Sequence, residues 1–364
     1  MAYATIPAVS PPVVSRAPGE AAGRIPSLDG LRAVSIFLVV LSHAVRKPGQ
    51  VSGYTHHLGA LGVSVFFVIS GYLITALLIR ERETTGRISL PHFYIRRAFR
   101  IWPALYTYVG VVAALAAFGI LTVTRGEVLC ASLFVWNYSP YLGSWLLGHT
   151  WSLSVEEQFY LIWPVLLVVA GKKHGARVAA AIILCSPVIR LFTYAVAPAS
   201  RGAIDTMLHT RADTLMFGAL CALLYSKPEF QAFLRRVYTA GWQFAAIPFL
   251  FAIHPLLGQL FRGKYMLTAG WTLEGLSISL LMLWVVQRPH TRIAGFLNAR
   301  PMVHLGLISY SLYLWQQIFF APSNTSFLGR FPISLLCALA AAQLSYTLIE
   351  RPFLRLRKRL APGA

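Results

Sequence analysis

The chain has 364 residues, of which 57% are hydrophobic and only 12% charged, against about 25% charged in an average soluble domain. Its mean hydropathy is +0.62, and apolar blocks long enough to cross ~30 Å of hydrocarbon recur along it; this excludes an ordinary soluble enzyme and predicts an all-α, polytopic integral membrane bundle. The net charge of +20 does not indicate nucleic acid, because the basic residues lie between apolar blocks rather than in one patch, which is the pattern of a topology signal.

Residues 1–27 hold several prolines and no apolar h-region, so the expectation is a disordered cytoplasmic tail without a cleavable signal peptide. A transmembrane domain follows over 28–353, with ten spans expected near 30–45, 59–79, 101–122, 149–170, 178–197, 210–226, 241–257, 268–287, 303–321 and 332–350. The stretch EVLCASLFVWNYSPYL, 127–142, reads as a partly buried interfacial helix, since an eleventh span would break the charge pattern. Arginines and lysines cluster before span 1 and after spans 2, 4, 6, 8 and 10, taking in most of the 32 basic residues. The positive-inside rule then places both termini in the cytoplasm, with a basic tail at 354–364, and implies a multi-pass protein of the cell inner (plasma) membrane. The four cysteines sit singly in apolar stretches, which is neither metal-ligand spacing nor a disulfide framework, and no metal site is expected.

Ionisable residues inside the spans carry the functional reading. Arg32 and His43 are eleven residues apart on the first span, close to three whole turns, so they share one helix face ~16 Å apart along the axis. Arg32 could be a snorkelling anchor paired with Asp29, and His43 a partner in a helix–helix hydrogen bond; together they could instead line one tunnel at two depths. At the start of span 3, FYIRRAFRIWPALY sets Arg97 and Arg100 on one face, suited to clamping phosphate or simply to fixing topology.

Span 4 opens HTWSLSVEEQFYLIWP and carries Glu156 and Glu157 into the bilayer, where a carboxylate usually faces a cavity or a partner. Glu156 is expected in the same outer layer as His43, orienting the imidazole as a general base; the bland alternative pairs a glutamate with Arg190 or Arg211. Arg190 of span 5 or Arg211 of span 6 also reads as a purely structural ion-pair partner for Asp213 of span 6. Span 9, LISYSLYLWQQIFF, places Ser309, Tyr310, Tyr313 and Gln316 where they would suit either a sugar-like substrate or helix packing.

Seven strings in order, LDGLRAVSIFLVVLSH, GVSVFFVISGYLIT, FYIRRAFRIWPALY, TWSLSVEEQFYLIWP, RADTLMFGAL, SYSLYLWQQ and LSYTLIERPF, cover residues 28–353. Together they resemble the family-three membrane acyltransferases, the group containing O-antigen and exopolysaccharide O-acetylases. The family hallmark of an arginine and a histidine separated by ten residues is matched by Arg32 and His43, and its R-x-x-R element by Arg97 and Arg100. One departure stands out: the span-9 motif often reads Leu-Trp-His, and here Gln316 occupies the histidine position. The appended extracytoplasmic hydrolase-like domain of some relatives has no counterpart in the sequence. The resemblance implies acyl-CoA as a co-substrate rather than a bound cofactor, its phosphates read by Arg32, Arg97 and Arg100. It also implies His43 as general base or acyl carrier, membrane lipid as surroundings and a glycan or lipid-linked sugar as acceptor. The competing expectation is a transporter or flippase for an anionic or sugar-linked lipid, but the two halves show no similarity and no paired broken spans.

Overall fold

The computed structural model describes residues 25–45, 53–141 and 143–360, and among these every regular element is a helix. The tail expected over 1–27 falls mostly outside them, although Pro26 and Ser27 already belong to the first helix.

Helix α1 spans Pro26–Ala44, with a proline in its first turn and Asp29 beside it, a favourable start for both backbone geometry and helix dipole. It is followed by α2 (Gly53–Thr85) and α3 (Leu90–Ala117). The expected interfacial helix is a short α4 (Arg125–Ser132) and a single 3₁₀ turn at Trp136–Tyr138. A Thr124–Glu127 capping box starts α4. Burial opposes ionisation of the Glu127 carboxyl, yet hydrogen bonds from Ser144 and Thr124 hold it below the ordinary carboxylate range.

Next come α5 (Thr150–Val196), α6 (Leu208–Leu224) and α7 (Pro228–Thr239). Then follow α8 (Trp242–Phe261) and α9 (Gly263–Gln287), α10 (Arg292–Leu297), α11 (Arg300–Phe319) and α12 (Ile333–Leu360). The basic segment expected as a tail from 354 continues α12 as helix through Leu360.

Among the described residues, seven helices are long and apolar enough to cross a membrane: α1, α2, α3, α5, α8, α9 and α12. The difference from the ten expected spans has identifiable sources. The 47-residue α5 takes in two of them, broken at Gly171, whose φ of 68° and ψ of 175° interrupt the helix. Helix α6 has only 17 residues, and α11 carries Arg300, His304, Gln316 and Gln317 among its apolar residues. The outer flank of α5 exposes Leu161, Ile162, Val169, Leu184, Val188 and Phe192, an apolar surface suited to lipid rather than water. The protein is therefore read as a multi-pass membrane protein.

At the centre, α1 packs against α2 and α11, and α6 fits between α2 and α5. Small residues let these backbones meet, as membrane helix crossings require. A Cβ on Gly71 of α2 would lie 1.9 Å from the Leu215 carbonyl oxygen of α6, and one on Gly218 of α6 would lie 2.0 Å from that of Val68. The same holds where α11 crosses α1: a Cβ on Gly306 would fall 1.9 Å from the Asp29 carbonyl oxygen. These crossings fix the depth of α1, and with it the positions of Arg32 and His43.

Three π-helical turns interrupt the bundle, at Phe249–Ile253, Met266–Gly270 and Tyr346–Glu350. Such wide turns are rare and tend to adjoin functional sites; each of these abuts one of the ionisable clusters described below.

Candidate active site

Arginine side chains from two helices converge at the N-terminal end of α1. Arg32 stands 3.5 Å from Asp29 and keeps 28% of its side chain accessible. Arg100 of α3 acts on Arg32 electrostatically and forms a 3.2 Å ion pair with the buried Glu350 at the end of the third π turn. Ser311 donates a 2.5 Å hydrogen bond to the same carboxylate, which locks it in place. Arg97, one turn from Arg100, lies over the Phe93 ring at 5.8 Å, and its Nε is buried without a hydrogen-bond partner. The three arginines expected to read phosphate thus belong to one basic vestibule.

Glu156 lies in this vestibule as well, which corrects its expected position beside His43. Its neighbours are the Ser70 and Tyr160 hydroxyls, themselves hydrogen-bonded to each other, with Arg32 and Arg97 acting on its charge. The physical reason is depth: His43 is the last residue but one of α1, whereas Glu156 is six residues into α5, ~9 Å along the axis. Glu157, the next residue of α5, is also within the electrostatic reach of Arg97 and Glu156.

His43 occupies the opposite end of α1. Its Nδ1 lies 3.2 Å from Oε1 of the fully buried Gln316 on α11. An amide oxygen only accepts, so the bond puts the ring proton on Nδ1 and the lone pair on Nε2. Trp145 meets the imidazole edge-on at 5.1 Å between ring centroids, and the indole is anchored by its own 2.8 Å hydrogen bond to the Gln317 carbonyl. His149, buried just before α5, acts electrostatically on His43. Neither of its ring nitrogens has a hydrogen-bond partner, and its ring sits edge-on to Tyr313 at 5.2 Å.

His43, Trp145, His149 and Tyr313 line one wall of a cavity of ≈ 620 Å³, within the usual range of about 300–1,000 Å³ for small-molecule sites. His57, Arg211, His254 and Glu274 line the same cavity.

The remaining expected residues divide between structure and site. Arg190 pairs with Asp213 at 2.8 Å, both fully buried, and also donates to the Leu267 and Thr210 carbonyls and to Thr272. It is a clamp joining α5, α6 and α9, and no glutamate of α5 uses it. Arg211 turns to the cavity instead, donating to Ser64 at 2.7 Å and lying 5.1 Å from the Trp271 ring. On α11, Ser309 bonds back to Gly306 and Tyr310 to the Ile101 carbonyl, so both serve packing. Tyr313 bonds Ser152 and the His149 carbonyl while lining the cavity.

A model of the acyltransferase-3 domain matches residues 25–349. The chain belongs to the acyltransferase-3 family. A Staphylococcus aureus (strain COL) protein named "Putative O-acetyltransferase SACOL0978" is 32% identical, over 90% of this chain and 57% of its own length. "O-acetyltransferase OatA" of S. aureus (strain NCTC 8325 / PS 47) is 27% identical with the same coverage. The chain thus spans little more than half the length of these curated relatives. No solved structure matches. The acyltransferase-3 region takes in both the vestibule and the cavity, stopping one residue short of Glu350.

Sequence reasoning passed over His149, Glu350, His57, His254 and Glu274. His149 opens the span-4 string HTWSLSVEEQFYLIWP, Glu350 stands inside LSYTLIERPF, one of the strings quoted for the family resemblance, and the last three come from three different helices. The signal available for His254 and Glu274 was the one used for Glu156, an ionisable residue within an apolar span.

Proposed function

We propose that the chain is a membrane O-acyltransferase moving an acyl group, acetyl in this reading, from cytoplasmic acyl-CoA to a hydroxyl of a glycan or lipid-linked sugar at the outer face of the plasma membrane. Ten spans with both termini in the cytoplasm would turn the basic vestibule inward and the His43 cavity outward. The observation that carries the reading is the division along α1: three guanidinium groups gathered at one end, and a tautomer-fixed imidazole lining a cavity at the other. Arg32 and His43 are separated by ~16 Å of helical rise, a distance for an extended pantetheine arm to bridge.

In this reading the donor's phosphates pair with Arg32, Arg97 and Arg100; the buried Arg97 Nε that has no partner in the protein is ready for such an anion. The thioester reaches the cavity. Nε2 of His43 takes the proton of the acceptor hydroxyl as its oxygen bonds to the thioester carbonyl carbon. The C–S bond then breaks, the electron pair leaves on sulfur, and the imidazolium returns its proton to the coenzyme A thiolate. An acyl-carrier route would use the same nitrogen as nucleophile; rapid quenching that traps acyl-His43 separates the two.

The test uses purified protein with radiolabelled acetyl-CoA and glycan acceptors. His43→Ala should abolish transfer while coenzyme A binding stays near wild type, and Arg32→Ala should weaken donor binding. Normal transfer by His43→Ala would refute the proposal. Substrate crossing liposomes without gaining label would identify a transporter instead.

A further inference from the structure

We propose that His57, His254 and Glu274 form a binding site for a zinc-class divalent cation in the wall of the cavity that His43 also lines. One ring nitrogen from each histidine and a Glu274 carboxylate oxygen lie within 4.8 Å of one another. Zinc holds imidazole nitrogen and carboxylate oxygen at about 2.0–2.2 Å, so tetrahedral ligand atoms stand about 3.4 Å apart. The cluster brackets that spacing: His254 Nε2 is 2.9 Å from Glu274 Oε2, and no pair exceeds 4.8 Å.

The geometry around these groups is that of ligands oriented from behind. The Nε2 of His57 is 2.8 Å from the Leu250 carbonyl; a carbonyl can only accept, so the proton sits on Nε2 and Nδ1 keeps its lone pair. The Nδ1 of His254 is 2.9 Å from the Tyr265 hydroxyl, which leaves Nε2 as the inward-facing nitrogen. Metal-ligating histidines characteristically have the second nitrogen held by a carbonyl or another polar group.

The second observation concerns His254 itself. Its side chain is 1% exposed, and its Nε2 lies 2.9 Å from Glu274 Oε2 as a buried imidazole–carboxylate pair. Two prospective ligand atoms are thus already held together away from water, at a separation that a tetrahedral cation would widen by about 0.5 Å. The two nearest π turns, Phe249–Ile253 and Met266–Gly270, adjoin His254 and Tyr265 and set the angle of the ring and of the hydroxyl behind it.

Charge permits the site. Arg211 acts on Glu274, but Asp205 also lies in the Arg211 field, and Ser64 and Trp271 engage the guanidinium. With Asp213 and Arg190 in the same field, three carboxylates stand against two arginines, which leaves one net negative charge for a dication. All three ligands line the cavity, so a fourth coordination position opens into it. There a cation would hold an acceptor oxygen; that role rests on the acyl-transfer reading, whereas the site does not.

The experiment uses the full chain in detergent, stripped with chelator, dialysed against Zn²⁺ and read by elemental analysis, with no acyl substrate present. The expected result is one tightly held zinc per chain, and a loss of at least tenfold in affinity in His254→Ala, His57→Ala and Glu274→Gln. Tyr265→Phe, which alters only the group behind His254, should weaken binding by about 10–100-fold, while His56→Ala at the exposed neighbouring histidine should not. Zn²⁺ should raise the melting temperature of the wild type and not of Glu274→Gln, each eluting as a single species. Cobalt substitution supplies a spectroscopic check through tetrahedral d–d absorption. Wild type holding no more zinc than His254→Ala would overturn the proposal and leave His254–Glu274 as a structural ion pair. Because no step uses a donor or acceptor, failure of acyl transfer would not imitate that result.

Discussion

Replacing Gln316 by leucine tests how far transfer depends on the histidine's tautomer rather than its presence. The substitution nearly conserves volume at a fully buried position but removes the acceptor 3.2 Å from His43 Nδ1. It leaves Arg32, Arg97 and Arg100 untouched. Losing one partner costs a donor up to about 1–3 kcal/mol when it is buried, and His43 is half-buried; if that cost falls on the state with the proton on Nδ1, kcat drops several-fold and by at most about 150-fold. The donor KM should stay near wild type, because the phosphate-reading groups stand at the other end of α1. Gln316→His restores a side chain able to accept from Nδ1–H, as the family motif often has there, and should recover most of the rate. Initial rates of label transfer from acetyl-CoA in membrane vesicles, normalised to folded protein, read both parameters. Wild-type kcat in Gln316→Leu, or a change confined to donor KM, would refute the reasoning.

Further expectations follow from the same geometry. Arg190→Met leaves Asp213 charged and unpaired in the core, and should destabilise by about 3–5 kcal/mol, read as a fall in detergent melting temperature; an unchanged melt would show that the clamp is not structural. Gly71→Val drives a side chain into the Leu215 carbonyl of α6, only 1.9 Å from its Cβ, and should abolish stable expression, scored by fluorescence size-exclusion. Glu350→Gln keeps the Ser311 bond but removes the charge opposite Arg100. The donor KM should fall by roughly fivefold, equivalent to ~1 kcal/mol, with kcat little changed.

Much of this protein was legible in its sequence because helical periodicity converts spacing into placement. Arg32 and His43 on one helix, and Arg97 and Arg100 on another, needed only 3.6 residues per turn to be put on common faces. Relations between helices were harder to read. Glu156 was assigned to His43 because both counted as outer-layer residues, but depth along each helix depends on where the helix starts, and α1 ends almost at His43. The actual partner, Gln316, is 273 positions away, and its contact depends on the Gly306 crossing that sets α11 against α1. His57, His254 and Glu274 share no spacing rule for the same reason: three helices bring one residue each. The chain's pairing of Arg190 with Asp213 rather than Arg211 was equally a matter of approach, set by how α5, α6 and α9 pack.

The wide turn at Tyr346–Glu350 has a consequence for how α12 tolerates insertion and deletion. A π turn carries one residue more than the α-helix it interrupts, so it absorbs that residue while the two halves of the rod keep nearly the same phase. Above it, Ile333–Ser345 is apolar; below it, Arg351–Leu360 is strongly basic on one side. Removing a single residue there would close the ordinary helical ladder with both halves nearly in phase, because five residues of a π turn wind about as far as four of an α-helix. The two halves would keep their seats, and only the turn that presents Glu350 to Arg100 would be rebuilt. A deletion elsewhere in α12, with no wide turn to absorb it, would instead rotate one half against the other by about 100° and carry either Glu350 or the basic half out of place.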